Sequence, residues 1–224
     1  MTGAFLDARQ REGWLAARSL AWFALAGVIV YVGIDVLLRF LRLHYSLVYN
    51  AESDYGRGPW YWVMDLNFLL RCAFSLAIVG ALVRVTRPDA RPRAGLALLI
   101  VWAACSGLLA FVANDLEGQH VHGSGIVHLA LAVIAFLCVA IGTVLISVSL
   151  RSDPAWHPAG TVLLAVSLAG AAAFLLLGAG FGHKHGPGGL YERIFLGLEL
   201  LWIALTAGCI AAGRPRVNRP VSAP

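Results

Sequence analysis

Charged and amide side chains interrupt one of the most apolar stretches of this chain. Between residues 60 and 83, Asn67, Arg71 and Ser75 follow one another at spacings of four residues. On an α-helix these spacings place the three side chains along one slanting stripe, whereas Asp65 points to a different face. Ionisable groups are costly in hydrocarbon, and they usually line a wet cavity or face a partner inside a helical bundle. These residues are therefore candidates for binding a small ligand or a proton.

A second polar stripe occupies the last apolar stretch, residues 190–211. Glu192, Glu199 and Thr206 repeat every seven residues, which holds them on one side of a helix that should face protein. Counted from the same end of their helices, Glu199 and Arg71 lie at depths that differ by roughly 3 Å, at about 1.5 Å per residue. The sequence therefore predicts an ion pair between them. Such a pair either locks two helices together or takes part in a proton or substrate relay.

Two connections between apolar stretches are rich in histidine. One begins at Asn114, the other precedes Pro187, and both are predicted to lie at the outer face. Imidazole and carboxylate groups that converge from two loops are ligands that zinc prefers. A simpler interpretation is that these are solvated polar side chains, and Lys184 between two of them would repel a cation. The candidate ligands of a divalent metal are His120, His122, His183, His185 and Asp115.

His128 differs from the loop histidines because it lies one turn into an apolar stretch. Small residues follow it at Ala132, Ala135 and Gly142, so its ring should point into a close helix contact. A hydrogen-bonded histidine and an axial haem ligand are the two interpretations of this position. The sequence lacks the paired intramembrane histidines of a two-haem cytochrome, which argues against haem.

The helices that must position these residues follow from the composition. Apolar residues make up 59% of the 224 residues and charged residues only 13%, which excludes a soluble globular surface. Six apolar stretches are each long enough for a helix of about 20 residues, the length that crosses a bilayer. The fold class is therefore an all-α polytopic transmembrane bundle. Its six predicted spans are 19–38, 60–83, 94–113, 125–149, 159–181 and 190–211.

The distribution of basic residues predicts the orientation of the bundle. With the N-terminus inside, eleven Arg residues fall on the cytoplasmic side and five Arg or Lys residues fall on the outer side. This bias places both termini in the cytoplasm, with an N-terminal segment at 1–18, a transmembrane domain at 19–211 and a basic tail at 212–224. Cytoplasmic loops and anionic membrane lipid account for the pI of about 9.3, so no nucleic acid partner is implied.

Three sequence motifs border the outer polar cluster. They are ESDYGRGPW at 52–60, HGSGIVH at 122–128 and GLYERIFLGLELLW at 189–202. In combination they resemble a bacterial multi-pass membrane family catalogued only as a domain of unknown function (number 998). The resemblance covers roughly residues 50–205, while the first helix fits by position. It implies a six-helix protein of the bacterial inner membrane, and it supplies no reaction whose catalytic residues can be carried over.

Three kinds of function remain open from the residues. One is an exoplasmic metal-dependent hydrolase of lipid-like substrates, in which a histidine-bound metal activates water. Another is a structural or accessory membrane subunit whose polar residues only fix the helices. The third is a protein that binds a small ligand or ion, or a proton-linked carrier, and the depth of the charges favours it. Its outward-facing pocket would be lined by Asp65, Asn67, Arg71, Asn114, His128, Glu192 and Glu199.

Overall fold

In the part of the chain that the structure describes, six α-helices and one short 3-10 helix form the fold. The computed structural model describes residues 2–41, 45–115, 123–181 and 186–213, and no strand occurs within these ranges. The 3-10 helix is Glu52–Gly56 and lies between the first two α-helices. The α-helices are α1 Thr2–Leu41, α2 Tyr61–Val85, α3 Arg93–Leu109, α4 Gly123–Ser152, α5 His157–Phe181 and α6 Gly188–Ala211.

The predicted all-α membrane bundle is confirmed, because five of these helices are long and apolar enough to cross a membrane. The shorter one is α3, whose 17 residues extend about 25 Å at 1.5 Å per residue, less than the roughly 30 Å of hydrocarbon. We expected this span to continue to Ala113. Instead, Ala110 to Val112 form tighter turns with hydrogen bonds to the third residue before each of them. The apolar composition of these residues does not reveal this change.

The first helix is longer than the predicted span. α1 begins at Thr2 and runs through 40 residues, so the predicted N-terminal segment 1–18 continues the same helix. At about 1.5 Å per residue a helix of this length is about 60 Å long, twice the hydrocarbon thickness. No proline interrupts this part of the sequence. The helix therefore begins well before the apolar stretch does.

The helices close into a ring. Each packs against the next along the chain, α6 returns to pack against α1, and α6 also touches α2 and α4. The small-residue contact predicted for the fourth helix occurs at Gly142, which packs on Gly95 of α3. A Cβ atom added at Gly95 would lie 2.9 Å from the Gly142 carbonyl oxygen, so only glycine allows this approach.

We call the end of the bundle that carries the 3-10 helix the capped end. There the segment 45–50 crosses the start of α6, and the Leu190 backbone N–H donates to the Val48 carbonyl oxygen at 3.0 Å. A side chain at Gly189 would collide with the backbone of Asn50. Because the six helices alternate in direction, the start of α1 and the end of α6 lie at the opposite end.

Candidate functional site

Arg71 is buried, with 2% of its surface exposed. Its Nε atom donates to Ser106 Oγ of α3 and its Nη1 atom donates to Tyr31 Oη of α1, both at 3.1 Å. Three aromatic rings also surround the guanidinium, whose Cζ lies 4.7 Å from the Trp102 ring centroid and 5.1 Å from that of Phe68. The third is the ring of Tyr31 at 5.8 Å. Hydrogen bonds and cation–π contacts thus hold this charge between α1, α2 and α3.

The negative charge nearest to this arginine comes from the 3-10 helix. The Tyr31 hydroxyl accepts from Arg71 and donates its own proton to Glu52 Oε1. Glu52 is 4% exposed, and its backbone N–H donates to Glu192 Oε2 of α6 at 2.9 Å. We call Tyr31, Glu52, Arg71, Ser106 and Glu192 the Arg71 network. It connects four helices to the 3-10 helix.

A cleft of about 200 Å³ lies beside this network, between α1 and α6. Asp35 contributes to its wall, and the buried Oδ1 atom of that carboxylate has no hydrogen-bond partner among the residues that the structure describes. Val32 and Gly197 also line the cleft and are exposed on the flank of the bundle. The cleft therefore opens sideways. We call it the α1–α6 cleft, and its lining is Tyr31, Val32, Asp35, Glu52, Arg193, Leu196, Gly197 and Leu200.

Arg193 stabilises the wall of the cleft that is nearest to the capped end. Its Nη1 atom donates to three backbone carbonyl oxygens, those of Leu47 at 3.2 Å, Asn50 at 2.9 Å and Gly189 at 3.0 Å. Its guanidinium also lies over the stacked rings of Tyr45 and Tyr55. Burial raises the pKa of both tyrosine hydroxyls, so they remain neutral beside the cation.

The predicted ion pair between Arg71 and Glu199 is wrong. Arg71 is directed towards α1 and α3, whereas the Glu199 carboxyl faces α5, where a Cβ atom added at Gly170 would lie 2.6 Å from its Oε1. Neither carboxyl oxygen of Glu199 has a hydrogen-bond partner, although only 1% of the residue is exposed. Similar depth in the bundle does not determine which neighbour a side chain faces. The predicted stripe itself is confirmed, because Glu192 and Thr206 are buried as well.

Two of the remaining predicted ligand-binding residues, Asn67 and Asn114, form hydrogen bonds that connect elements of the fold. Asn67 is buried and donates from Nδ2 to the Tyr31 carbonyl oxygen at 3.4 Å. Asn114 donates to Ser53 Oγ at 3.1 Å and to Asp54 Oδ1 at 2.9 Å, which anchors the 3-10 helix. Asp65 is partly exposed on α2 and does not line the cleft.

His128 is a hydrogen-bonded helix histidine, as the sequence suggested. Its Nδ1 atom donates to the carbonyl oxygen of Val112 at 2.7 Å, while the other ring nitrogen is buried without a partner. The ring packs edge-on against Phe68 of α2. It therefore ties the connection after α3 to the fourth helix, at one side of the Arg71 network.

The predicted metal ligands divide into two groups. His120, His122, His183 and His185 lie outside the described residues. Asp115 is described, and it forms a 3.1 Å salt bridge with Arg57 Nη2 beside the first turn of α4. Within the described ranges, no group of three or more His, Cys, Asp or Glu side chains is arranged to hold a metal ion.

The sequence reasoning missed the partners of the buried arginine. Tyr31 and Asp35 stand four residues apart in the first apolar stretch, and this spacing was a usable signal for one polar face. Asp35 was passed over because an acid near a helix end can extend to the interface. Ser106 gave no signal, because a single serine in an apolar helix is common.

Comparison with known proteins gives one family. Residues 24–208 match the family described as "Protein of unknown function (DUF998)". No curated protein and no solved structure matches the chain.

Proposed function

Since the chain belongs to the DUF998 family of proteins of unknown function, we propose its activity from the geometry: the α1–α6 cleft binds the protonated head of a small amphipathic amine in exchange for a proton. The observation that carries the proposal is the buried, unpartnered oxygen of Asp35 in a cleft that also contains Glu52. Exchange of a bound cation for a proton is the chemistry of a proton-linked carrier, which is the function that we infer.

Electrostatics favours a cation over an anion or a neutral ligand. A carboxylate oxygen removed from water without a hydrogen bond is destabilised by several kcal/mol unless a donor or a charge compensates it. A primary ammonium group supplies both a positive charge and three N–H donors. When the amine leaves, a proton on the same carboxylate restores the compensation. Arg193 in the same cleft attracts the carboxylate through space but does not hydrogen-bond to its buried oxygen, because its bonded Nη1 atom donates to the backbone of the segment 45–50 and of Gly189.

The size and position of the cleft favour an amphipathic ligand. A volume of about 200 Å³ corresponds to roughly six or seven water molecules at about 30 Å³ each, enough for a small head group only. Its other walls are the apolar side chains of Val32, Leu196 and Leu200. The opening lies on the flank of two membrane-spanning helices, where an apolar tail would extend into lipid.

Equilibrium binding to the purified protein in lipid nanodiscs tests this proposal. Radiolabelled octylamine should bind at neutral pH, and octanoate and octanol, which match its tail, should not. Asp35→Asn should abolish binding because it removes the carboxylate whose buried oxygen lacks another partner among the described residues. Asp65→Asn is the matched control, since it removes an acid of the same helical bundle outside the cleft. Binding of octylamine that survives in Asp35→Asn, or binding of octanoate that equals it, would refute the proposal.

Exchange is tested separately in proteoliposomes. An outward gradient of octylamine should acidify wild-type vesicles faster than Asp35→Asn vesicles, in which only uncharged amine crosses the bilayer and leaves its proton inside. If octylamine binds but no such difference in proton movement is seen, the protein binds amines without exchanging them for protons.

A structural role for the polar residues is the second candidate. The Arg71 network favours it, because its hydrogen bonds join four helices and the 3-10 helix. In that case Asp35→Asn would change neither binding nor exchange, whereas changes in the Arg71 network would still lower stability.

We also infer the location of the protein. The excess of arginine at the chain-terminus end of the bundle supports a bacterial inner membrane with both termini in the cytoplasm and the capped end outside. The α1–α6 cleft would then take up its ligand from the outer leaflet.

A further inference from the structure

A second group of buried polar side chains lies on the side of α6 that faces α4 and α5, away from the cleft. It consists of Thr143 and Ser147 of α4, Ser167 of α5, and Glu199 and Trp202 of α6, each with 1% or less of its surface exposed. We call these residues the deep cluster. Glu199 follows Glu192 by seven residues on α6, which places it about 10 Å further from the capped end.

The hydroxyl and indole groups of the deep cluster donate hydrogen bonds to one another and to backbone carbonyl oxygens. Trp202 Nε1 donates to Ser147 Oγ at 2.8 Å, and Ser167 Oγ lies 3.4 Å from the same oxygen. Ser147 Oγ donates to the Thr143 carbonyl oxygen at 2.6 Å, and the Thr143 hydroxyl donates to a carbonyl oxygen of its own helix. Among the described residues only the Thr143 hydroxyl approaches the Glu199 carboxyl, and because it donates to its own helix, neither carboxyl oxygen has a well-directed donor.

An aromatic cluster lies next to Glu199 on the side of the capped end. Phe195 lies one turn before Glu199 on α6, with its ring centroid 5.0 Å from that of Phe136 and 5.5 Å from that of Phe174. These rings belong to α4, α5 and α6, and Glu199 is absent from the lining of the α1–α6 cleft. Glu199 is therefore not part of the site that we propose for amines.

The surroundings of Glu199 leave little space for a metal cation. Gly170 of α5 is so close that an added Cβ atom would lie 2.6 Å from Oε1. The groups that face the carboxyl from α4 and α5, Thr143 and Gly170, carry no charge, and Arg71 of α2 is directed to Ser106 and Tyr31. An ionised carboxylate would thus be uncompensated in a low dielectric. A proton compensates the charge without requiring additional volume.

An apolar groove lies between the two helices that pack against this carboxyl. The groove lies between α4 and α5 and has a volume of about 400 Å³. Ala140 and Val144 in its wall flank Thr143, and Ala171 follows Gly170 in the chain. The deep cluster therefore lies directly behind the wall of the groove.

We propose that Glu199 is a proton-binding site, separate from the α1–α6 cleft, which holds its proton as a carboxylic acid behind the α4–α5 groove. The proposal does not depend on what the cleft binds. It assigns to the same bundle a second acid that exchanges protons and no other cation.

Modification with dicyclohexylcarbodiimide tests for a protonated carboxyl in an apolar environment. The acid transfers its proton to one carbodiimide nitrogen, and its oxygen adds to the central carbon. The resulting O-acylisourea rearranges to a stable N-acylurea, so the whole reagent is added and nothing leaves. Intact-mass and peptide analysis of nanodisc-embedded protein should show one added reagent on the peptide that contains Glu199. A cationic, water-soluble carbodiimide should not modify it.

Three variants make the result specific. Glu199→Gln should lose the modification of this peptide, whereas Asp35→Asn should keep it, which separates this proposal from that for the cleft. Gly170→Ala should also reduce it, because the new methyl group displaces the flexible carboxyl rather than backbone. Gly178→Ala is the matched control on α5, since a Cβ atom there meets nothing within 4 Å. An unmodified Glu199 peptide in folded wild-type protein, or protection by sodium ions, would overturn the proposal.

Discussion

The tyrosine hydroxyl at the centre of the Arg71 network offers the sharpest test of how the capped end is held together. Tyr31→Phe removes one oxygen atom and leaves the ring and its packing in place. That oxygen donates to Glu52 and accepts from Arg71, so the change leaves a buried carboxylate without one donor and a buried guanidinium without one acceptor. The loss should therefore exceed that of an ordinary tyrosine hydroxyl.

The magnitude follows from the charges of the two partners. A hydrogen bond to a charged group contributes about 1.5 to 3 kcal/mol. Two such bonds are lost together, and because they share one oxygen their contributions do not simply add. We expect a loss of about 3 kcal/mol in the free energy of unfolding, which lowers the unfolding temperature by roughly 6 to 12 °C for a chain of this size.

Thermal unfolding in nanodiscs, followed by tryptophan fluorescence, measures this loss. Tyr49→Phe is the matched control, because Tyr49 is 53% exposed and its ring should be insensitive to the change. A double-mutant cycle of Tyr31→Phe with Glu52→Gln should show a coupling of about 1 kcal/mol or more, as expected for groups in direct contact. An unchanged unfolding temperature for Tyr31→Phe, or strict additivity in the cycle, would contradict the proposed network.

Three further outcomes follow from the structure. Arg71→Ala and Glu199→Ala should be additive within about 0.5 kcal/mol in unfolding measurements, because the two side chains do not pair. Gly95→Ala should destabilise the bundle by about 1 to 3 kcal/mol through overpacking against α4, while Gly197→Ala, which meets nothing within 4 Å, should leave the unfolding temperature unchanged. Alkaline phosphatase fused to the C-terminus should be inactive in bacteria, and an active fusion would reverse the predicted topology.

Hydrophobic length was sufficient to predict the number of helices and their order. It failed at two helix ends for different reasons. The residues after Leu109 are apolar but adopt tighter turns, with the His128 ring bonded to one of their carbonyl groups. At the N-terminus the helix continues past the end of the apolar stretch, because nothing in the residues before Ser19 interrupts a helix. Hydropathy reports where lipid contact ends, and helix ends depend on local hydrogen bonds.

The sequence predicted which helix faces carry the buried polar side chains, but it did not predict which residues those side chains contact. Helical periodicity correctly identified Arg71, Glu192 and Glu199 as buried residues. The rotation of each helix about its axis, which decides whether Arg71 meets Glu199 or Tyr31, is set by packing of all six helices together. Glu52 was the hardest case, since an acid in a loop has no periodicity and becomes buried only because the 3-10 helix folds over the bundle.

The α1–α6 cleft lies at the seam where the ring of helices closes. Between α1 and α6, Glu52 connects the two sides of the seam, through Tyr31 on one side and Glu192 on the other. Asp35 lies beside this connection and has no partner of its own for its buried oxygen. A cation bound there would therefore attract α1 and α6 to each other. Along the chain, these two helices are linked only by way of the four helices between them. By linkage, the ligand should stabilise the closed ring by about 2.7 kcal/mol at a concentration one hundred times its Kd. By the same linkage, a bound ligand would oppose the separation of α1 from α6.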